Sequence, residues 1–193
     1  MNALALALEW ASMLGYCERN PAEVERLASE LIELSTRHNF SYRLAQGTVY
    51  RGWARSASGD AAEGISWIEQ GIIDLRATGA VLTLPIHLAQ KAEALYLADR
   101  TSEALEAINE AIPMAERLEL AYFRAEMHRL RGVFLATLGA EETLIEAPFQ
   151  EAIRIAREQK AFLVEKRAES SYAEYRRQKA KALGGQEIRL PLC

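Results

Sequence analysis

Apolar residues recur along this chain three and four positions apart, the spacing of amphipathic helices. The segments with that spacing are Ala3–Cys17, Ala22–His38, Tyr42–Ser58, Ala61–Thr78, Leu84–Ala98, Ser102–Leu118, Ala121–Leu138, Ala147–Lys160 and Phe162–Leu183. Helix-breaking or small loop residues separate them at Asn20-Pro21, Gly59-Asp60, Asp99-Arg100 and Gly139-Ala140, 39 or 40 residues apart. A fixed period of this kind marks a repeat architecture. The pattern predicts an A and B helix pair used four times, over about 1–40, 41–80, 81–120 and 121–160, with a closing helix over 161–183. Residues 184–193 follow as an extended or flexible tail: Gly184-Gly185 stops the last helix, and Ile188, Leu190 and Leu192 alternate beyond it.

Small residues keep the phase. Ser12, Gly52, Ala92 and Gly132 stand 40 apart, and Gly64 with Ala104 and Gly71 with Ala111 repeat at the same interval. Glycine inside a helix costs about 1 kcal/mol relative to alanine. Gly52, Gly64, Gly71 and Gly132 therefore point to helices that approach closely. The stripe Ile65, Ile68, Ile72 has its copy in Leu105, Ile108, Ile112, and both read as core. Pro85 opens the third A helix, as proline does in a first turn. Pro113 predicts a kink or an early end of the third B helix. Residues 141–146 read as an insertion, with Pro148 opening the fourth B helix.

Numbered from Pro85, the third unit has Ala92, Ala104 and Ala111 at its eighth, twentieth and twenty-seventh places. That is the small-residue register of the tetratricopeptide repeat. The typical tetratricopeptide period is about 34 and that of HEAT-like repeats roughly 40 to 47, so the latter stands as an alternative. The expected fold is all-α: a tetratricopeptide-like right-handed superhelix of antiparallel helix pairs, about 40 residues each.

Composition agrees. Of the 193 residues, 33 are Ala, 25 Leu and 24 Glu, all strong helix formers, against 11 Gly and 5 Pro. This excludes an all-β fold, a collagen-like chain and a disulfide scaffold. The net charge of -4 argues against a direct nucleic-acid reader. Lys and Arg thicken near the end (Lys166, Arg167, Arg176, Arg177, Lys179, Lys181), but Glu165, Glu169 and Glu174 interleave, which is the mark of a solvated face. Cys17 and Cys193 are far apart, and His38, His87 and His128 are scattered, so no metal or cofactor is expected. The apolar start, with Leu4, Leu6 and Leu8, is too short to span a bilayer and is broken by Glu9. It reads as the first helix of a cytoplasmic protein rather than a signal peptide or membrane anchor.

A resemblance rests on particular runs. They are Arg51-Gly52-Trp53-Ala54, Glu63-Gly64-Ile65, Arg76-Ala77-Thr78-Gly79-Ala80 and Ala92-Glu93-Ala94. The longest is Ala125-Glu126-Met127-His128-Arg129-Leu130-Arg131-Gly132, followed by Ala152-Ile153-Arg154-Ile155-Ala156-Arg157 and Glu165-Lys166-Arg167-Ala168. Together they resemble the C-terminal tetratricopeptide region of large bacterial regulators. In those, a cyclase or winged-helix DNA-binding domain precedes a STAND-type ATPase domain. The likeness covers roughly residues 3–180, nearly the whole chain. The chain has no Gly-x-x-x-x-Gly-Lys-[Ser/Thr] phosphate loop and no cyclase Asp pair, so none of that chemistry carries over to a residue here.

What remains is a binding surface, not an enzyme: no nucleophile–base pair stands out, and no catalytic, cofactor or metal residue is expected. In tetratricopeptide arrays the A helices line the concave face. The register puts Trp10, Tyr50, Gln90 and Leu130 in one row and Met13, Trp53, Glu93 and Val133 in the next. Flanking rows are Glu9, Val49, Ala89, Arg129 and Tyr16, Ser56, Tyr96, Ala136. Trp10, Tyr50, Trp53 and Tyr96 are expected to anchor a groove, with Glu93, Glu126 and Arg129 setting its polarity and Gln90 among its lining residues. The competing reading makes these aromatics core between helix layers. Expected partners are a protein or peptide, other domains of the same regulator, or a second copy through the apolar first helix or the tail. Alternatives are a small-molecule-sensing repeat domain and an oligomerisation module.

Overall fold

The computed structural model describes residues 1–181 and 188–192. The expected end of the closing helix at Leu183, the Gly184-Gly185 stop and Cys193 lie outside the described residues. The described chain is helical apart from its turns and the stretch 188–192. Its helices are α1 (Asn2–Cys17), α2 (Pro21–Arg37), α3 (Ser41–Ala57), α4 (Ala61–Ala77), α5 (Leu84–Leu97), α6 (Thr101–Arg117), α7 (Ala121–Thr137), α8 (Glu142–Glu158) and α9 (Phe162–Lys181).

The termini explain the regularity. Asn20 and Asp60 cap α2 and α4 by accepting the backbone N–H of Glu23 and Glu63, at 3.2 and 3.4 Å. Just past its last turn, each helix from α1 to α8 has a residue with positive φ: Arg19, Asn39, Gly59, Gly79, Asp99, Glu119, Gly139 and Lys160. These stand 20 residues apart, except for the last interval, so the backbone repeats with half the period of the sequence. After most of them the next N–H bonds back across the turn, as in Asn20 to Gly15 O and Phe40 to Ser35 O, both 2.9 Å. This is the left-handed helix stop that reverses the chain in about three residues.

The prolines depart from expectation. Pro113 does not end α6, which runs on to Arg117. Pro148 does not open α8 but lies inside it, because the helix starts at Glu142. The supposed insertion at 141–146 is thus mostly the first turns of that helix, and the phase slips by one residue, not six. Pro85 does stand in the first turn of α5, which begins three residues later than the period requires.

The helices group into two compact units, one spanning Met1–Arg100 and the other beginning at Thr101. In the first unit α1 packs on α2 through Ala5, Leu8, Leu27, Leu31 and Leu34. The A helices α1, α3 and α5 lie side by side, and α4 packs on both α3 and α5. The α3–α4 seam is closest where glycines face each other: a Cβ on Gly52 would fall 2.6 Å from the Gly64 carbonyl oxygen. One on Gly71 would fall 2.6 Å from a Val49 methyl. The isoleucine stripe of α4 is buried, whereas in its copy on α6, in the second unit, Leu105 is only half-buried and Ala104, Ala107 and Ala111 are buried.

In the second unit α7 packs on α6, α8 and α9. Gly132 lies against the Phe149 ring, where a Cβ would be 2.9 Å from the nearest ring carbon. Phe149 in turn stacks on Tyr172 and Tyr175 of α9, with centroids 5.5 and 6.2 Å away. Ala125, Ile155 and Ala156 form a smaller cluster with Val164.

Candidate functional site

In the first unit, Glu93 of α5 is almost completely buried. Its Oε1 accepts the Tyr16 hydroxyl at 2.6 Å, and its Oε2 accepts the Trp53 indole N–H at 3.0 Å. The Arg19 guanidinium also pairs with Oε2. A carboxylate is costly to bury unless charge and hydrogen bonds replace its water; here three donors from α1, α3 and the turn after α1 do so. Tyr16 and Trp53 meet edge to face, 5.0 Å between centroids and 89° between planes. Arg19 stands 5.2 Å over the Tyr16 ring.

A second polar cluster lies between α3 and α5. His87 and Gln90 are fully buried, and His87 Nδ1 is 2.8 Å from Gln90 Oε1. The Tyr50 ring meets the His87 ring edge to face at 5.4 Å. Burial pushes the His87 imidazole down to about 4, against a smaller opposite pull from Gln90. Burial likewise raises the Tyr50 phenol, with Glu9 adding to the effect. His87 Nε2 and Gln90 Nε2 have no hydrogen-bond partner among the described residues.

In the second unit the polar centre is Arg129 of α7, fully buried. It grips Glu126 with two parallel bonds, Nε to Oε2 at 3.0 Å and Nη2 to Oε1 at 2.7 Å. Nη1 donates to Ser171 Oγ of α9 at 3.0 Å. Nη2 also donates to the Leu192 carbonyl at 3.1 Å. Arg167 adds a second positive charge 3.6 Å from Glu126.

The stretch 188–192 therefore docks on this unit. Leu190 and Leu192 are buried, and Ile188 is half-buried. Gln178 of α9 pairs with the peptide group of Arg189 on both sides: its Nε2 donates to the Arg189 carbonyl at 3.0 Å and its Oε1 accepts the Arg189 N–H at 3.1 Å. An amide pairing of this kind reads backbone, not side chain.

Each expected site residue has a definite place. Trp10 is 55% exposed on α1, beside exposed Leu6 and Leu14. Tyr50, Trp53, Gln90, Glu93 and Tyr96 are buried in the first unit, and Glu126 and Arg129 in the second. An open aromatic groove was the expectation; the A-helix rows of α3 and α5 instead close on each other, because these helices pack side by side. Trp53 and Glu93 meet directly, as do Glu126 and Arg129, while Gln90 meets His87. Tyr16, Arg19, Ser171 and Gln178 were not singled out. Tyr16 lay in a named row, but Arg19 sits in a turn, and Gln178 lies in a charge-rich helix that reads as solvated. Trp67, on α4, is half-buried under Arg51, 4.4 Å from its ring centroid.

Among the described residues no helix is long and apolar enough to cross a membrane, and no cluster of three or more His, Cys, Asp or Glu is placed to hold a metal.

No family model matches the chain. It is similar to an uncharacterized protein of Rhizobium meliloti (strain 1021), with 33% identity over 173 residues. That match takes in 90% of this chain and only 17% of the relative, so the chain spans about a sixth of the relative's length. Among solved structures it is similar to PlcR of Bacillus thuringiensis, crystallised with the peptide PapR7 and DNA. The TM-score is 0.66 and the identity 18%, over 86% of this chain and 69% of PlcR. It is also similar to a putative kinesin light chain of Podospora anserina with nearly identical TPR-like repeats. There the TM-score is 0.60 and the identity 12%, over 96% of this chain and all of that one. At these identities the likeness concerns the fold, and the fold is an all-helical repeat of the tetratricopeptide type.

Proposed function

We propose that the chain is a non-catalytic regulatory module that holds an extended peptide or partner segment on its A helices. Its setting is a bacterial signalling regulator of the cyclase- or transcription-linked ATPase type, in the cytoplasm. The segment held comes from a separate protein or from the regulator's own effector domains. The observation that carries this reading is the stretch 188–192, an extended segment seated on α7 and α9 and held through its backbone by Arg129 and Gln178. Support for the setting comes from the sequence runs around Glu126–Gly132 and from the relative, a far longer protein. PlcR, similar in fold, was solved with a peptide, which supports a peptide ligand.

A second reading is a small-molecule sensor. It is favoured by the buried His87 and Gln90 nitrogens, which lack protein partners among the described residues. A melting-temperature screen of the purified chain separates the two. One library holds peptides with apolar residues at alternate positions, and the other holds small polar metabolites. Peptides are expected to raise the midpoint, since a ligand that binds only the folded state stabilises it. A metabolite that stabilises while no peptide does would replace the first reading with the second.

A further inference from the structure

The docked stretch is more than a segment at rest on a surface. Its contacts have the layout of a bound ligand. Apolar side chains at 188, 190 and 192 turn toward the protein, and Leu190 and Leu192 are buried. Arg189 and Pro191 between them are exposed. Period-two alternation is the geometry of an extended backbone. Polar contacts to main-chain atoms hold it: the Arg189 N–H and carbonyl on Gln178, and the Leu192 carbonyl on Arg129. Pro191 has no N–H, so that position asks for no donor partner. A surface that satisfies backbone atoms and buries alternate side chains fits any extended segment with that pattern, not this one alone.

The receptor side is built in advance. Arg129 is fixed by Glu126 and Ser171 regardless of the segment, and Arg167 balances the Glu126 charge. Gln178 is held by Glu174, whose Oε1 accepts its Nε2 at 2.7 Å, and Arg177 pairs with that same carboxylate. Both backbone-reading groups thus stay oriented when the segment leaves. Preorganised groups of this kind lower the ordering cost of binding.

We infer that the face of α7 and α9 is an extended-peptide site held closed in cis by residues 188–192, and that it opens when a partner peptide with apolar side chains at alternate positions displaces them. This rests on the reading of the chain as a peptide-binding module. The tether sets the strength of the closure. A segment tethered within a few residues of its site has an effective concentration on the order of millimolar. A segment of intrinsic Kd on the order of 100 µM then fills the site about nine-tenths of the time and weakens a competitor about ten-fold.

The test measures anisotropy of a fluorescein-labelled peptide with the sequence of residues 186–192. The proteins are the intact chain, its Leu190→Asp/Leu192→Asp variant and that variant with Gln178→Ala added. The Asp pair is expected to undock the segment and tighten peptide binding about ten-fold over the intact chain. Gln178→Ala is expected to reverse most of that gain. Helicity by circular dichroism checks that each variant folds. If the Asp pair unfolds the chain, Gly-Ser replacement of residues 188–192 provides the same release. Equal affinity for the intact and undocked chains overturns cis closure but leaves the peptide-binding reading standing. No binding by the undocked chain removes this segment as a ligand, and the peptide screen then decides the broader reading alone. A doubled mass of the intact chain, abolished by the Asp pair, would mean that the segment docks on a second copy and would overturn closure in cis.

Discussion

Glu93 shows how one buried charge organises its surroundings. It draws Tyr16, Arg19 and Trp53 onto one carboxylate, and so fixes α1, α3 and α5 side by side. Removing one partner of a buried pair leaves the others without compensation, at a cost of about 3 kcal/mol or more. Glu93→Ala is therefore expected to lower the unfolding free energy in urea by about 3 kcal/mol. Glu93→Gln, whose amide oxygen still accepts from Trp53 while its NH2 can donate to the Tyr16 hydroxyl, should cost less than half as much. A loss under about 1 kcal/mol for the alanine variant would mean that the cluster is incidental. His87 gives a second residue-scale expectation. Its imidazole titrates near 4 in the folded chain, below its ordinary value of 6.5. The unfolded chain therefore binds the proton more readily between these values, and stability falls as pH drops through that window. The expected loss from pH 7 to pH 4 is about 3 kcal/mol from this group. His128 shifts in the same direction, also from burial. The check is a urea-midpoint profile against pH, in which His87→Gln should flatten part of the acid limb.

At the scale of helices, glycine and the left-handed turns decide how the elements join. Gly52 and Gly64 let α3 and α4 touch backbone to backbone; a Cβ at Gly64 would collide with Ser56 Oγ and the Gly52 carbonyl. Gly64→Ala is expected to force the pair apart at a cost of about 2–3 kcal/mol, although alanine is the better helix former. Thermal melts should show a lower midpoint; an unchanged one would mean that the seam is loose. The turns make the opposite prediction. Lys160 and Glu119 hold φ values of 55° and 53°, a region in which side chains are strained by about 1–2 kcal/mol. Lys160→Gly is expected to stabilise the chain by about 0.5–1 kcal/mol, since glycine's larger unfolded-state entropy offsets part of the relief. Urea denaturation of the single variant is the measurement. Pro148 is instructive at this scale. A proline within a helix forfeits one backbone bond, yet α8 continues because its apolar face, with Ile145, Phe149, Ala152 and Ile155, is buried on both sides of it.

For the molecule as a whole, repeat physics sets the expectation. When each helix pair rests mainly on its neighbours, a local defect spreads over a short range. In Gly64→Ala, amide hydrogen exchange is expected to quicken first in α3 and α4, while α7 to α9 keep most of their protection. A uniform rise across the chain would instead show one fully cooperative domain. Legibility in the sequence follows the same division between local and distant. The helix pairs, their 40-residue interval and the small residues at the seams were readable because period and residue size are local properties. So was the resemblance carried by Glu126–Gly132, although the regulator it suggests is still a proposal.

The sequence by itself determined that this protein is a repeated helix pair, where most of its turns fall and which small residues stand at the helix seams. The physical reason is that amphipathic spacing, caps and left-handed turns act within a few residues. Only the tertiary structure decided which of the named polar residues meet. Tyr16, Arg19 and Trp53 converge on Glu93 from positions 77, 74 and 40 residues away. Arg129 reaches a carbonyl 63 residues on. It also decided that Tyr50, Trp53 and Tyr96, meant for an open groove, lie inside while Trp10 stays exposed, and that the stretch 188–192 is seated rather than hanging free. Burial and pairing over such separations depend on how helices stack, and nothing within a short window of sequence carries that information.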